Sequence, residues 1–435
     1  RIHAAGDNLA KTFKQMFNQT AALPIKKQMT KVFNATPFSQ VNLGNLVRNA
    51  IYAEDFERLM VQTITNGNKS QLKIKRKLMT NRMPTQQLHR KNQLNSYAIM
   101  RQVSSTSADS AKQSERAAEM RSVHMSALGY ICVVHSPPEG EKVGINKQMA
   151  IFASIAPPSS SAVLKRSVLD DPDIVLKDLL TPLEIYRQNY AAVYVNGDLI
   201  AYTKSAISLG EKYRRKRRAL EINPFTTVYF DNTQNELQLF VDIGRMTRPL
   251  TIVYNNQRDK SIVRIADSKS EFQQFTAITS DDISRLKQKA KSIYDLVLEQ
   301  KVEFITPEEQ QNCYICPSLR KLFDMQNDDL HQFTHCDIPQ AILGITALTA
   351  PFGNHNQAPR VTYQTSQAKQ TCGYYVGNWP NRVDKEAFLQ YVNDVPLVQT
   401  AVNKYVFANG NMTMVAMMCY TGYNQEDSTV FSKAA

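Results

Sequence analysis

The dipeptide Asn196-Gly197 separates two apolar runs, Val193-Tyr194-Val195 and Leu199-Ile200-Ala201. A two-residue type I′ turn needs positive φ at both central positions, and Asn-Gly meets that need at low cost. The stretch is therefore constrained to an antiparallel hairpin. A second hairpin is expected through Val228–Phe230 and Leu237–Val241, and residues 205–220 between the two read as a helix. This helix carries Lys212, Arg214, Arg215, Lys216, Arg217 and Arg218. A run of like charge on a helix usually marks a solvated face, with contact to a polyanion or a partner as the alternative.

The texture changes on either side. Residues 1–65 read mainly as helices, with Leu9, Phe13 and Phe17 at helical spacing. A basic strand or loop is expected from Lys69 to Lys77. Residues 85–122 suggest two helical pieces around a Ser-rich loop near Ser104 to Ser110. A short strand at Tyr130–Val134, a turn at Pro137-Pro138-Glu139-Gly140 and an extended stretch from Val143 follow. Pro157, Pro158 and the serines at 154 and 159–161 mark a domain boundary. Residues 280–298 read as one amphipathic helix with Ile283, Leu286, Ala290, Ile293 and Val297 as its stripe, opened by a Thr279/Asp282 capping box. From Phe333 onward, short apolar runs split by Asn, Gln and Gly read as β-rich. The expected fold class is α+β in several modules.

With 435 residues, two to four domains are a reasonable expectation. A net charge of +13 favours polyanionic partners such as nucleic acid, nucleotides or an acidic surface. Six scattered cysteines with one close pair suit a reducing compartment better than a disulfide scaffold. No apolar run is long enough to span a bilayer, and no secretory signal is visible at the start. The chain begins without Met and stops just past a dense polar motif, so it reads as an internal piece of a longer subunit.

Three motifs could carry chemistry. In Gly422-Tyr423-Asn424-Gln425-Glu426-Asp427-Ser428, adjacent Glu426 and Asp427 offer hard oxygen ligands of the kind Mg²⁺ prefers when it bridges to phosphates. Spacing alone favours a polar surface turn. His355-Asn356-Gln357-Ala358-Pro359-Arg360-Val361-Thr362-Tyr363-Gln364, followed by Lys369-Gln370, gathers cations, amides and a phenol without an acid. That set suits triphosphate oxygens, although a self-satisfied loop is the simpler reading. Arg121, His124, Gly129, Cys132, Pro138-Glu139-Gly140 and Gly144 form the third, in which the glycines permit tight turns.

Taken together and in order, these motifs resemble the second-largest, beta-type subunit of cellular and viral multisubunit DNA-directed RNA polymerases. The family's Gly-Tyr-Asn-Gln-Glu-Asp-Ser signature is matched in full by 422–428. Its His-Asn-Gln-x-Pro-Arg-x-Thr-Tyr-Gln segment is matched by 355–364 with Lys369-Gln370 after it, and Pro-Glu-Gly-x-x-x-Gly by 138–144. Val195-Asn196-Gly197, Gly244-Arg245, Arg248-Pro249 and Phe333-Thr334-His335-Cys336 fall between them. Ser136-Pro137 replaces Glu-Thr, the stretch from Ser104 to Arg121 is unusual for the fork, and Val361-Thr362-Tyr363 replaces Asn-Thr-Tyr. The pattern is closer to the large nucleocytoplasmic DNA viruses, especially the asfarvirus-like group.

The resemblance implies a protrusion end at 1–80, a fork at 81–155, external domains at 156–270 and 271–330, and the start of a β-rich, barrel-containing hybrid-binding domain at 331–435. It implies that Glu426 and Asp427 sit at a second, nucleotide-delivered Mg²⁺ and act catalytically, and that Arg360 and Tyr363 approach the incoming triphosphate. Lys369, Gln370, Arg101 and Glu139 would line the nucleic acid. The partners implied are the largest and smaller polymerase subunits, template DNA, RNA–DNA hybrid and nucleoside triphosphates, with no membrane. The setting would be host cytoplasm, viral factory or virion, or the nucleus. The chain alone should be inactive, because the tightly held Mg²⁺ belongs to the largest subunit. No zinc is expected from Cys313-x-x-Cys316 with His335 or Cys336, since structural zinc wants paired ligand sets. Asp170-Asp171-Pro172-Asp173 reads as a solvated turn. Two other functions compete: a stand-alone Mg²⁺-dependent nuclease or nucleotidyltransferase using Glu426, Asp427 and the 170–173 acids, and a non-catalytic basic scaffold for nucleic acid.

Overall fold

The computed structural model describes residues 88–104, 117–140, 142–253, 280–323, 333–384 and 387–433. Residue 278 and part of the first 61 positions are also described. The expectations for 69–77 and for most of Ser104–Ser110 lie outside these residues.

Near the start, Phe13 and Phe17 stack with ring centroids 6.3 Å apart, and helices Leu23–Ala35 and Leu43–Ala50 follow, as the spacing suggests. Helix Gln93–Met100 leads into a two-residue ladder in which β1 (Gln102–Val103) pairs antiparallel with β2 (Lys147–Gln148). Helix Ala117–Arg121 is the second of the two expected pieces.

The expected strand at Tyr130–Val134 makes no ladder. Ile131 is bridged singly to Leu128 and Met149, and residues 142–145 form a turn instead of an extended stretch. The loop is folded on itself: the Ser136 hydroxyl accepts from Gly144 N at 2.8 Å, and Gly144 has φ +72. A Cβ there would lie 2.7 Å from the Arg121 carbonyl oxygen, so this close approach requires glycine.

β3 (Ser154–Ile155) and the Pro-Ser stretch lead into the best-packed module. Its sheet has the order β4-β6-β5-β8-β7: β4 (Ile174–Leu176), β5 (Ala191–Val195), β6 (Asp198–Thr203), β7 (Thr227–Asp231) and β8 (Glu236–Phe240). Both expected hairpins are present. Asn196 and Gly197 have φ 54 and 89, the pair of positive values a type I′ turn needs. β5 and β8 run parallel, joined through helix Ala206–Arg218. Alternation turns Ala191, Val193 and Val195 inward with Leu237 and Leu239. Helices Ser161–Leu169 and Ala206–Arg218 cover that face with Leu164, Val168, Leu209 and Tyr213. Each large apolar side chain so buried stabilises the module by about 1.5–3 kcal/mol.

β9 (Met246–Ile252) is the hub of a second sheet. It pairs with β3, with β10 (Val302–Ile305) and with β12 (His335–Cys336), and β12 pairs in parallel with β11 (Ile315–Cys316). The single helix expected over 280–298 is two, Ser280–Lys287 and Ile293–Leu298. Lys289 has φ 59, with bonds from Ala290 N to Arg285 O (2.9 Å) and from Lys289 N to Leu286 O (3.1 Å). This is a Schellman end with lysine in the left-handed position. Ser292 and Asp295 then form a capping box that starts the second helix. The expected stripe still packs, with Ile283, Leu286, Ile293 and Val297 against Phe304, but Ala290 at the break is exposed. Thr279 lies outside the described residues, and Asp282 binds Lys291 and Lys301 at 2.6 Å each.

Beyond Phe333 the described residues are helical or irregular more than β-rich. They contain β12, helix Ile345–Leu348, helix Ala358–Gln370 and 3-10 turns, with isolated bridges from Gly373 to Leu389 and Asn409. They form no closed barrel. The apolar runs after residue 411 find no ladder partner among the described residues, and Met414, Val415 and Met417 lie exposed.

Candidate functional site

The second motif folds as a helix, not a loop. Pro359 stands in the first turn of Ala358–Gln370, where its missing N–H costs nothing. Val361 and Thr365, four apart, turn inward. The helix is laid against the loop that carries Pro138-Glu139-Gly140. The Thr362 hydroxyl donates to Val134 O at 2.6 Å, the Tyr363 hydroxyl donates to Glu139 Oε1 at 3.3 Å, and Lys369 Nζ lies 3.3 Å from His135 Nε2. Arg360 is exposed, its guanidinium 5.9 Å from the Tyr363 ring centre. At the far end, the buried Asn92 donates to Ala368 O and Thr371 O, both at 2.8 Å, while its side-chain oxygen accepts from Asn95 N at 2.7 Å. One side chain thus caps helix Gln93–Met100 and holds the end of helix Ala358–Gln370.

The structure therefore puts Arg360, Tyr363 and Lys369 on one helix that packs through Tyr363 and Lys369 against the loop carrying His135 and Glu139; nine positions apart, Arg360 and Lys369 point to opposite sides of it. Gln370 is exposed in the last turn of the same helix. Arg101 is differently employed. Its Nη2 donates to the carbonyls of Ala150 (2.6 Å), Ile151 (3.3 Å) and Ala153 (2.9 Å), and burial lowers its pKa. The guanidinium braces that backbone from inside.

Glu426 and Asp427 stand on an exposed turn. Asn424 shapes it by accepting from Tyr420 N and donating to Met418 O, and Ser428 N donates to Gln425 O. Both acids have positive φ, 50 and 66, a conformation that costs roughly 1–2 kcal/mol for a residue with a Cβ. Neither carboxylate forms an ion pair with another described residue. Two exposed hard oxygen donors fit a Mg²⁺ ion that takes its other ligands from water and phosphate. Among the described residues, no group of three or more His, Cys, Asp or Glu could hold a metal.

The basic run corrects an expectation, because it is not a solvated face. Arg217 is completely buried, with Nη1 2.7 Å from Glu309 Oε2 and Nη2 2.7 Å from Glu303 Oε2. Arg218 reaches Glu303 at 2.7 Å and Arg214 reaches Glu309 at 3.5 Å. Lys212 and Lys216 converge on Asp171, at 2.7 and 3.7 Å. The acidic turn at 170–173 is exposed at Asp170, Pro172 and Asp173, and the expectation is corrected only at Asp171, whose side chain is 1% exposed. Burial opposes ionisation of Glu303, but Arg218, Arg217 and His335 outweigh it and hold the carboxyl well below its ordinary range. Of the six cations, Arg215 alone is exposed.

The cysteine cluster is likewise committed. Cys313 Sγ donates to Glu309 O, and burial pushes the Cys313 and Cys336 thiols up to about 12. His335 Nε2 lies 2.7 Å from Glu303.

The sequence reading missed His135, Thr346, Asn92 and the Glu303/Glu309 pair. Nothing in their spacing marks them, because each acts across more than 80 positions.

Three family models match the chain: RNA polymerase Rpb2 domain 3 over residues 86–155, domain 4 over 193–254 and domain 6 over 346–435. DNA-directed RNA polymerase subunit Rpo2 of Sulfolobus acidocaldarius is 31% identical over 364 residues, 81% of this chain and 30% of the relative. DNA-directed RNA polymerase II subunit RPB2 of Encephalitozoon cuniculi is 28% identical over 445 aligned residues, 100% of this chain and 36% of the relative. Its counterpart in Schizosaccharomyces pombe is 28% identical, over 100% of this chain and 37% of the relative. The chain spans about a third of the length of the curated relatives it matches.

Proposed function

We propose that this chain, which belongs to the family of RNA polymerase second-largest subunits, supplies part of the active site of a DNA-dependent RNA polymerase assembled with a largest subunit and smaller subunits. The observation that carries the reading is the state of the Gly422–Ser428 signature. It lies within the stretch matching Rpb2 domain 6, and it displays two carboxylates with no counter-ion among the described residues, on an exposed, conformationally costly turn. Strained backbone of this kind clusters at binding sites, which is what the reading takes from it.

In this reading the RNA 3′-hydroxyl attacks the α-phosphate of an incoming nucleoside triphosphate. The hydroxyl loses its proton to solvent as a bond from that oxygen to Pα forms, and the bond from Pα to the bridging oxygen breaks, releasing pyrophosphate. A Mg²⁺ ion shared with the nucleotide would supply charge stabilisation at the phosphates. Glu426 and Asp427 hold their oxygens where such an ion can be bound. Arg360 offers its exposed guanidinium to triphosphate oxygens, beside the ring of Tyr363, which is tied to Glu139. Lys369 and Gln370 face nucleic acid further along the helix, with Glu139 at the edge. Arg101 acts by shaping the backbone at 150–153.

The finer assignments follow the same reading: protrusion end at 1–80, fork at 81–155, external domains at 156–270 and 271–330, and hybrid-binding domain from 331. A source among large nucleocytoplasmic DNA viruses, acting in cytoplasm or viral factory, rests on Ser136-Pro137 and Val361-Thr362-Tyr363. No zinc site is proposed. The stand-alone nuclease reading loses support at the 170–173 acids, because Lys212 and Lys216 hold Asp171, Lys212 also bonds Asp173 at 3.1 Å, and Arg166 lies 3.9 Å from Asp170.

The test is primed RNA extension by the assembled polymerase carrying the full-length parent subunit. The pair Glu426→Ala/Asp427→Ala should slow extension at least ~100-fold with nucleic-acid binding intact, the scale of removing a transition-state charge stabiliser. Unchanged extension would withdraw the catalytic role and leave the basic-scaffold reading.

A further inference from the structure

Lys369 is half-buried in the last turn of helix Ala358–Gln370, and no carboxylate pairs with it among the described residues. Its polar partner is the ring of His135, 3.3 Å from Nζ to Nε2. The other ring nitrogen, Nδ1, is 2.8 Å from the hydroxyl of Thr346, which is fully buried. An ammonium can only donate, so Nε2 must present its lone pair and the ring proton sits on Nδ1, donated to Thr346. Burial and the neighbouring Lys369 charge push the His135 pKa down to about 3, so the ring is neutral at neutral pH. The helix cannot slide away from this contact. Thr362 is bonded to Val134 O next to His135, and Asn92 grips the carbonyls of Ala368 and Thr371 on either side of Lys369.

We infer that His135 is a positioning residue for Lys369: it accepts from the ammonium, fixes its place on the helix-and-loop surface, and leaves its charge uncancelled for a phosphate of the bound nucleic acid. A carboxylate in the same place would fix the ammonium equally well but neutralise it, as Asp171 does for Lys212. A neutral acceptor is the chemical means of holding a cation that must still bind an anion. The inference rests on the reading of Lys369 as a nucleic-acid contact.

The assembled polymerase with the full-length parent subunit, bound to a primed template, provides the test. Its dissociation constant is measured against KCl concentration. Lys369→Met should reduce the slope of log affinity against log salt by about 0.7–0.9, the value for one phosphate contact. His135→Leu should reduce it by the same amount, although residue 135 carries no charge, and the double variant should match Lys369→Met alone. His135→Gln, which retains a neutral acceptor, should restore the slope. His135→Glu should lower it by neutralising the ammonium.

A wild-type slope in His135→Leu while Lys369→Met shifts it overturns the inference, as does a wild-type slope in His135→Glu. If His135→Leu fails to assemble, the Gln and Glu variants decide. A wild-type slope in Lys369→Met removes the nucleic-acid role of Lys369 and the inference with it. The catalytic reading stands or falls separately on Glu426 and Asp427.

Discussion

Helix Ala206–Arg218 places six cations in the seven positions 212–218, whereas helix Ala358–Gln370 carries two, Arg360 and Lys369. On charge density the first is the better candidate for a polyanion site. In the structure Glu303, Glu309 and Asp171 take up five of its six cations, and Arg217 lies fully inside the protein. Arg360 and Lys369 stand beside an aromatic ring and a neutral imidazole. What separates the two helices is the count of counter-charges, which come from distant parts of the chain.

The sharpest way to break this comparison is Glu309→Ala. It would leave Arg217 buried with one partner fewer, and a broken buried pair costs about 3–5 kcal/mol. Urea unfolding followed through the 156–323 region should show a loss of that size. A loss near zero would mean that the guanidinium reaches water and the helix is a solvated face after all. On the other helix, Asn92→Ala removes three hydrogen bonds from a buried site and strands two carbonyls. A cost of about 1–3 kcal/mol is expected in urea unfolding followed through residues 88–150 and 345–371, with the salt slope of nucleic-acid binding also disturbed.

A third prediction uses pH. Glu303 titrates well below its ordinary value of 4.5 in the folded protein. The unfolded chain binds the proton first as pH falls, so the stabilisation is present above about 4.5 and declines below it. The stability advantage of the native protein over Glu303→Gln should hold from neutral pH down to that region and shrink in stronger acid. A constant gap down to pH 2 would show that Glu303 is not the ionised partner. The smallest effect belongs to Arg215→Gln, with a change within about 0.5 kcal/mol and no change in salt slope. A drop in slope of one contact would return this helix to the list of nucleic-acid surfaces.

What the sequence made legible was local. Asn196-Gly197 specified its turn because two adjacent φ values suffice, and the second hairpin followed from alternation. The helix at 280–298 was legible as a stripe but not as two pieces, because Lys289 ends it where glycine would have been the expected sign. The order of the three motifs pointed to the family without any structure. The basic helix was misread because Glu303 and Glu309 lie more than 80 positions away, in a strand and a four-residue helix. His135 was invisible for the same reason. Its meaning comes from Lys369, 234 positions on.

The double grip of Asn92 has a consequence in time. Its partners at 368 and 371 are 276 and 279 positions further along the chain. A ribosome adding roughly 5–20 residues per second makes helix Gln93–Met100 wait on the order of tens of seconds for them. During that interval the hairpins and helix of residues 161–241 can close on contacts of short range. The helix that carries Arg360, Tyr363 and Lys369 therefore takes its place after the 161–241 module. Until then Asn92 is a polar side chain with its future partners unmade.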